Sequence, residues 1–477
     1  MSGMAGTRRS FSFYRAARAL PARLSGTSWR KDWSDRAAGH RVRLYRGASL
    51  TRAVVRLARD PLAYVASLND TAGVHVFHAF GQDLVHLTDA LLVKEMLVDR
   101  RGDFEKGVFF DRVRRLVGNG VVTANGAEHR RQRVYLDRFF KREHVIGLAG
   151  LMTEVVRSDL AGWDGTVDLD AALHRVAFKI LGATMFGTEL DAAKFDGIHE
   201  WLAVVLESAM LRTVVPGWYL RVPTKKNRLH DTAMDRLRSA IVAAMQSHSG
   251  ATSDRLDLVS VMRSVDGPDG KPLSSEEIAD QIVSVTLAGA ETAATALAWL
   301  TVELAGDQAL QDDLREELAA ARARGVEYGP DLAETPLLKR VLSEVLRSRQ
   351  PIFAISRRTI RDTSVGGLVL PGGTEVLYSP WAMHRDHVNF PIGPSFDPWS
   401  SGASGCPISQ ETAFMPFGLG PRHCVGERYA WQMMWIVVGE VLAAVRIEEA
   451  RARYPHGRPL ATVIPGAVDA TVRRLAR

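Results

Sequence analysis

Apolar positions recur at helical spacing over most of the chain. The clearest run is SSEEIADQIVSVTLAGAETAATALAWLTVELAG, residues 274–306. Ser274 followed three residues later by Glu277 is a capping box, so a helix starts there and extends to about Gly306. Its apolar interior is interrupted by Gly289, Glu291 and Thr292, residues that helix propensity alone does not favour. Thr335 before Pro336 marks a second helix start, a cap followed by a first-turn proline. A third apolar run, Trp431 to Leu442, reads as a helix entered from a glycine-rich stretch, and His129 and Arg133 share one face of a fourth. ISRRTIRDTSVGGLVLPGG, residues 355–373, reads as a strand region, while VVPGWYLRVPTKK, residues 214–226, breaks the helical pattern with two prolines and reads as a lid between helices. No repeat and no Pro/Gly/Ser linker divides the middle. The fold class expected is mainly α with a small β-sheet region, as one large domain over residues 47–477.

Charge changes the picture at one end only. The formal net charge is +7, but residues 1–46 carry eleven Lys/Arg against two Asp/Glu, and the remainder is slightly acidic. A folded domain without net positive charge gives no support to nucleic-acid binding. The tail's TRRSFSF resembles a twin-arginine export signal, yet Arg15, Arg18 and Arg23 interrupt any apolar stretch after it. Its lack of acids before Asp32 fits a mitochondrial transit peptide as the second reading. The first is a basic, disordered tail on a cytoplasmic bacterial protein, in keeping with the Ala/Arg/Gly-heavy usage. No uninterrupted run approaches ~18 apolar residues, so no integral membrane anchor is expected.

The two cysteines are Cys406 and Cys424. Two thiols cannot supply a four-thiolate iron–sulfur cluster within one chain. A zinc site from Cys406, His423 and Cys424 lacks the usual paired spacing. Cys424 sits in FMPFGLGPRHCVGERYA, residues 414–430, where Phe417, Gly420, Arg422, Cys424 and Gly426 fall at the spacing Phe-x-x-Gly-x-Arg-x-Cys-x-Gly. Each position has a physical use if Cys424 is a thiolate on haem iron. Gly420 and Gly426 let backbone approach a flat macrocycle, Arg422 suits a propionate, Phe417 shields the sulfur, and the following helix points amides at the anion.

This pattern resembles the haem-binding loop of the cytochrome P-450 monooxygenases, bacterial type. Three further signatures follow in the family's order, over roughly residues 50–477. Ala288-Gly289-x-Glu291-Thr292 resembles the segment where the family's long helix loosens over haem, with Ala288 and Gly289 against the macrocycle and Glu291 with Thr292 as the acid–alcohol pair for proton delivery. By residue chemistry alone, Thr292 is also free to bond back to its own turn. Glu344 and Arg347 resemble the family's structural clamp, and His129 with Arg133 its propionate partners. Counting back from Gly367, Arg357 takes another propionate role, with Arg358 the neighbouring alternative. Two departures stand out: the segment before the cysteine loop is reduced to FDPWS, which weakens the clamp's third partner, and the proline-rich hinge is missing.

The resemblance implies heme b with O2 as co-substrate, a ferredoxin with its reductase (or a flavodoxin-type donor) as electron source, and oxidation of a lipophilic small molecule, with secondary metabolism and terpene-like substrates as a lead. The implied substrate pocket holds Phe109, Phe110, Leu287, Ile352, Phe353, Ile355 and Ile464. Arg130, Arg131, Arg138, Lys141 and Arg142 would face an acidic donor. Two other classes stay open: a peroxide-using or isomerising haem-thiolate enzyme, and a non-catalytic haem sensor.

Overall fold

The structure is a computed structural model, and it describes residues 32–69, 72–79, 81–187, 201, 204–205, 219–247, 257–264, 267, 270–326, 334–400 and 412–475. Residues 1–31, Cys406 and residues 214–218 of the expected lid, Trp218 among them, lie outside the described residues; the rest of that segment is the short turn Tyr219–Arg221 and the start of the helix that follows it. Residues 32–46, expected in the tail, belong to the fold. Trp33 is fully buried and donates from Nε1 to Asp83 at 2.9 Å. Strand β1 (Val42–Tyr45) pairs in parallel with β2 (Val74–Ala79). An indole packed and hydrogen-bonded in this way outweighs the tail's charge, so the ordered fold begins by residue 32 rather than 47.

β2 turns into antiparallel β3 (Gln82–Leu87). Helices α1 (Ala90–Leu97), α2 (Val108–Val117) and α3 (Gly126–Phe139) follow, with the short β4 (Phe104–Lys106) between the first two. Then come α4 (Ala149–Leu160), β5 (Gly165–Asp168) and α5 (Leu169–Phe186). The expected long helix is α6 (Ser275–Gly306); Ser274 and Glu277 form both hydrogen bonds of its capping box. It is the one helix among the described residues long and apolar enough to cross a membrane, and it is buried in the core instead. After α7 (Gln308–Ala323) and α8 (Pro336–Ser348), residues 355–370 form β6 (Ile355–Thr359), β7 (Thr363–Val365) and β8 (Leu368–Leu370). Strand β9 (Glu375–Tyr378) completes a six-stranded sheet of order β1-β2-β3-β9-β6-β4. The cysteine loop leads into α9 (Glu427–Ala444) and on to β10 (Val445–Ala452), β11 (Arg458–Pro459), β12 (Val463–Ile464) and β13 (Val468–Arg474). One apolar core joins α3 to α9, and a second lies under the large sheet, so the fold is helical with small sheets as expected.

The Glu344–Arg347 pair is buried on α8. Arg347 donates from Nε and Nη2 to the two Glu344 carboxylate oxygens at 2.8 and 2.6 Å. Its remaining donors reach the carbonyls of His384, Gly393 and Ser395 at 2.8, 2.5 and 2.7 Å. Glu344 also accepts the Asp397 amide at 3.1 Å. The third partner missing from FDPWS is thus replaced by backbone, which ties α8 to the segment leading to the cysteine loop.

Breaking this knot strands a buried guanidinium. Glu344→Ala is expected to cost about 3–5 kcal/mol, read as a lower urea midpoint at unchanged slope. Adding Arg347→Ala should not restore stability, because the buried His384 and Gly393 carbonyls then lose their donor.

Candidate active site

A cavity of about 270 Å³ lies between α6, β6, α9 and the 414–426 loop. Cys424 borders it on one side and, on the other, a surface groove lined by Arg133, Asp137, Lys141 and Arg428. The Cys424 amide donates to the Phe417 carbonyl at 2.9 Å, and the Gly426 amide donates to Sγ. Gly426 is also the N-cap of α9. Cys424 is exposed to the cavity and groove, yet the protein packed around it pushes the thiol up, while the Gly426 amide and Arg133 pull it down. A sulfur held this way ionises readily only when a cation binds it, which is the donor chemistry of a thiolate-ligated iron.

One glycine assignment changes and one glycine is added. Gly426 borders the cavity as expected. Gly420, at φ +68°, does not: a Cβ there would lie 2.1 Å from the Leu97 carbonyl oxygen, so the close approach it permits is to the end of α1 rather than to a macrocycle. Gly418, at φ +75° and with open space where its Cβ would be, is the glycine that keeps the loop clear beside the cavity. Phe417 borders it too, tilted against Trp431 at 5.6 Å.

At one edge of the cavity positive charge is buried without matching acid. Arg357 and Arg422 both line it. Arg422 donates to the Ala124 carbonyl and to Asn125 Oδ1 at 2.7 and 3.2 Å, and its pKa falls to about 10 through burial and then Arg357. His129 is pushed down to about 3 by burial and by Arg422, Lys106, Arg133 and Arg357. Arg133 donates to the His423 carbonyl at 2.6 Å and to Asp137 at 2.6 Å. Lys106 was not singled out from the sequence, yet its ammonium is buried here against the carbonyls of Val121 and Val122, its pKa held well down by burial and by the same arginines. Glu105, the acid that acts on Arg422, is already paired with Arg358 at 2.8 Å. Arg358 also faces Asp111, so Arg357 rather than Arg358 turns to the cavity. With its pKa pushed down, His129 is neutral near pH 7, while the guanidiniums of Arg357 and Arg422, beside Lys106, call for a bound anion, and two propionates meet that need.

Across the cavity, Ala288, Gly289 and Thr292 line α6. The expected loosening of the helix is absent: α6 is continuous here, and Thr292 Oγ1 donates to the Ala288 carbonyl at 2.8 Å. Glu291 lies outside the cavity wall. Its Oε1 accepts from Thr462 Oγ1 at 2.9 Å and its Oε2 lies 3.2 Å from His174 Nε2. Adjacent residues on a helix diverge by about a third of a turn, which splits the acid–alcohol pair between two faces.

Of the expected pocket residues, Ile352 and Ile355 line the cavity. Phe109, Phe110, Leu287, Phe353 and Ile464 do not. Phe109 packs edge-on against Phe110, whose ring lies 4.8 Å from the Lys106 ammonium. Leu287 packs on the main core, Phe353 packs with Trp381, and Ile464 pairs with Arg458. Val121, Val122, Leu181 and Val285 take their place. The helical spacing Val285, Ala288, Gly289, Thr292, Ala296 carried that signal for α6.

Comparison with known proteins agrees with this geometry. The chain is 29% identical over 399 residues to cyclooctat-9-en-7-ol 5-monooxygenase of Streptomyces melanosporofaciens, covering 82% of this chain and 86% of that protein. It is 28% identical over 360 residues to pentalenene oxygenase of Streptomyces avermitilis, covering 75% and 80%. The fold superposes on the crystal structure of CYP175A1 from Thermus thermophilus with TM-score 0.72 at 22% identity, covering 90% of this chain and all of the other. The retinoic acid-bound cyanobacterial CYP120A1 gives 0.70 at 20% identity, covering 85% and 92%. The Cytochrome P450 family matches residues 57–458, and with that span over a cavity suited to thiolate-bound haem, this chain belongs to the Cytochrome P450 family.

Proposed function

We propose that this chain hydroxylates a lipophilic, terpene-like secondary metabolite, with Cys424 as the iron ligand and Lys106, His129, Arg133, Arg357 and Arg422 around the propionates. The observation that carries the reading is that Arg357 and Arg422 line the same cavity as Cys424, with Lys106 buried beside them and no acid among the described residues of that lining. Two relatives named for cyclooctat-9-en-7-ol and pentalenene support the substrate class, since both names describe hydrocarbon frameworks with at most one hydroxyl. Streptomyces relatives favour a cytoplasmic bacterial setting over a mitochondrial one.

Haem bound here supplies oxygen activation and C–H oxidation. The chain supplies the rest. Gly426 and the start of α9 hold Cys424 in place and favour its anion. Val121, Val122, Leu181, Val285, Ile352 and Ile355 present an apolar wall that orients a substrate by shape and excludes water. Thr292 holds a hydroxyl at that wall, and its present bond to Ala288 must open before it can pass on a proton.

Electrons arrive from a separate ferredoxin-type or flavodoxin-type donor at the groove beside Cys424. Arg130, Arg138, Lys141 and Arg428 are exposed around it. Arg131, expected among them, is instead bound to Glu128 and to Glu277 of the α6 capping box, so it braces α3 against α6. A peroxide-using enzyme is the second reading, favoured by the placement of Glu291 outside the cavity.

The governing experiment is a reduced carbon monoxide difference spectrum followed by oxygen-dependent turnover with a surrogate ferredoxin system. Cys424→Ser should abolish the thiolate-type carbon monoxide band; its persistence would remove Cys424 as ligand. Turnover with peroxide but none with oxygen and reductant would select the second reading.

Lys106→Met should speed haem loss about tenfold, equivalent to ~1.4 kcal/mol, while the haem-free protein becomes no less stable, because a buried cation is removed. Transfer of haem to apomyoglobin and thermal melting of the apoprotein measure the two effects.

Arg130→Glu with Arg138→Glu should slow first-electron transfer from an acidic ferredoxin several-fold and flatten its salt dependence, with spin-state titrations of lipophilic compounds unchanged. Stopped-flow reduction at low and high salt decides the matter.

A further inference from the structure

The helix that forms one wall of the cavity carries a polar atom that the site described so far leaves unused. Ser284 lies on α6, about two turns before Thr292, and borders the cavity. It is 1% exposed, and its Oγ is buried without a hydrogen-bond partner. Other polar side chains of the lining are engaged. Thr292 bonds back to Ala288 at 2.8 Å, Gln350 Oε1 accepts the Ile352 amide at 3.0 Å, and the Tyr429 hydroxyl lies 2.7 Å from that of Thr184. Among the described residues that border the cavity, Ser284 alone has a buried side-chain polar atom with no partner.

The neighbouring loop does not supply one. Residues 118–123 are laid across α6 by the Asn119 amide on Asp280 at 2.8 Å and the Val121 amide on Gln281 at 2.9 Å. Gly120 passes over Ser284 so closely that a Cβ there would lie 2.1 Å from Oγ. The Gly120 carbonyl is already occupied by the amides of Thr123 and Ala124, both at 2.9 Å. The hydroxyl thus stands where loop, helix and cavity meet, and the cavity is the side from which a partner can come.

A bare buried hydroxyl costs free energy that an alanine in its place would not. That cost is recovered when a ligand brings an oxygen to it. We propose that Ser284 is the binding point for an oxygen that the substrate already carries, a hydroxyl or a carbonyl, at the end of the cavity under the 118–123 loop. The inference rests on the reading of this chain as an oxidiser of terpene-like molecules, and it narrows that class to mono-oxygenated members. A serine hydroxyl both donates and accepts, so it serves either group.

The position also orients the substrate. Ser284 and Thr292 are eight residues apart, about 12 Å along the helix axis. A rigid skeleton held by its oxygen at Ser284 extends past Ala288 and Gly289 toward Thr292. The carbon presented for oxidation is therefore at the end remote from the existing oxygen. Such a substrate has gained its first oxygen before it arrives, from a water-quenched cyclisation or an earlier hydroxylation.

The test uses the holoenzyme and three matched pairs of terpenes: drimane with drimanol, dehydroabietane with dehydroabietinol, and kaurane with kauranol. Affinities come from the spin-state shift of the haem, and products from turnover with a surrogate ferredoxin system. For at least one pair the parent should bind the alcohol about tenfold more tightly than the hydrocarbon, because a site built to hydrogen-bond a hydroxyl rejects the analogue lacking it. Ser284→Ala should bring that ratio to within about twofold, chiefly by weakening the alcohol. The variant should keep its carbon monoxide band, and its apoprotein should melt no lower than the parent's. The parent should oxidise the alcohol at the end opposite its hydroxyl, and Ser284→Ala should scatter the products. An alcohol preference that survives Ser284→Ala, no preference in a parent that binds both members of a pair, or oxidation beside the hydroxyl would overturn this inference alone. A parent that shows the thiolate-type band yet shifts with none of the six compounds would overturn the terpene-like reading beneath it, and this inference with it.

Discussion

One guanidinium decides where the cysteine loop begins. Arg347 spends its donors on a carboxylate one turn away and on three carbonyls from residues 384–395. The carboxylate and the His384 and Gly393 carbonyls are buried, so the segment cannot slide along α8 without leaving buried polar groups bare. Residues 384–397 are therefore fixed against α8, and Gly426 at the start of α9 fixes the residues next to Cys424, so the sulfur is presented where its surroundings suit a metal.

The opposite edge of the cavity follows a different logic. Arg357 and Arg422 push down the pKa values of Lys106 and His129, Arg357 also that of Arg422, and the group lies against few acids among the described residues. A fold selected for apoprotein stability alone would not gather them, since each buried cation carries a desolvation cost of several kcal/mol. The arrangement makes sense as a receptor whose energy is recovered when a dianion binds, and binding then stabilises the folded state by mass action.

Much of this was legible in the sequence, for identifiable reasons. Ser274–Glu277 and Thr335–Pro336 mark helix starts through local chemistry, and both helices begin where those signals stand. The cysteine motif is legible because several residue types at fixed spacing rarely coincide by chance. What remained hidden depends on contacts between distant segments. Nothing local tells Lys106 from any strand lysine, or reveals that Gly420 meets the end of α1. Trp33 looked like part of a charged tail because its partner, Asp83, comes fifty residues later. The pocket aromatics were misplaced for a related reason: apolar residues near a motif suit a core as well as a cavity, and periodicity separates the two only on a helix such as α6.

The contact between Gly420 and Leu97 bears on how this enzyme can be varied. A β-carbon at position 420 would stand 2.1 Å from a backbone oxygen, which no rotamer change can relieve. Any gene library that randomises the cysteine loop will therefore lose nearly every clone altered there, whatever substrate is screened. Val121, Val122, Leu181 and Val285 border the cavity on side-chain atoms rather than on a backbone contact of this kind. Diversity placed on those four positions explores substrate shape, whereas diversity placed on position 420 mostly samples misfolded protein.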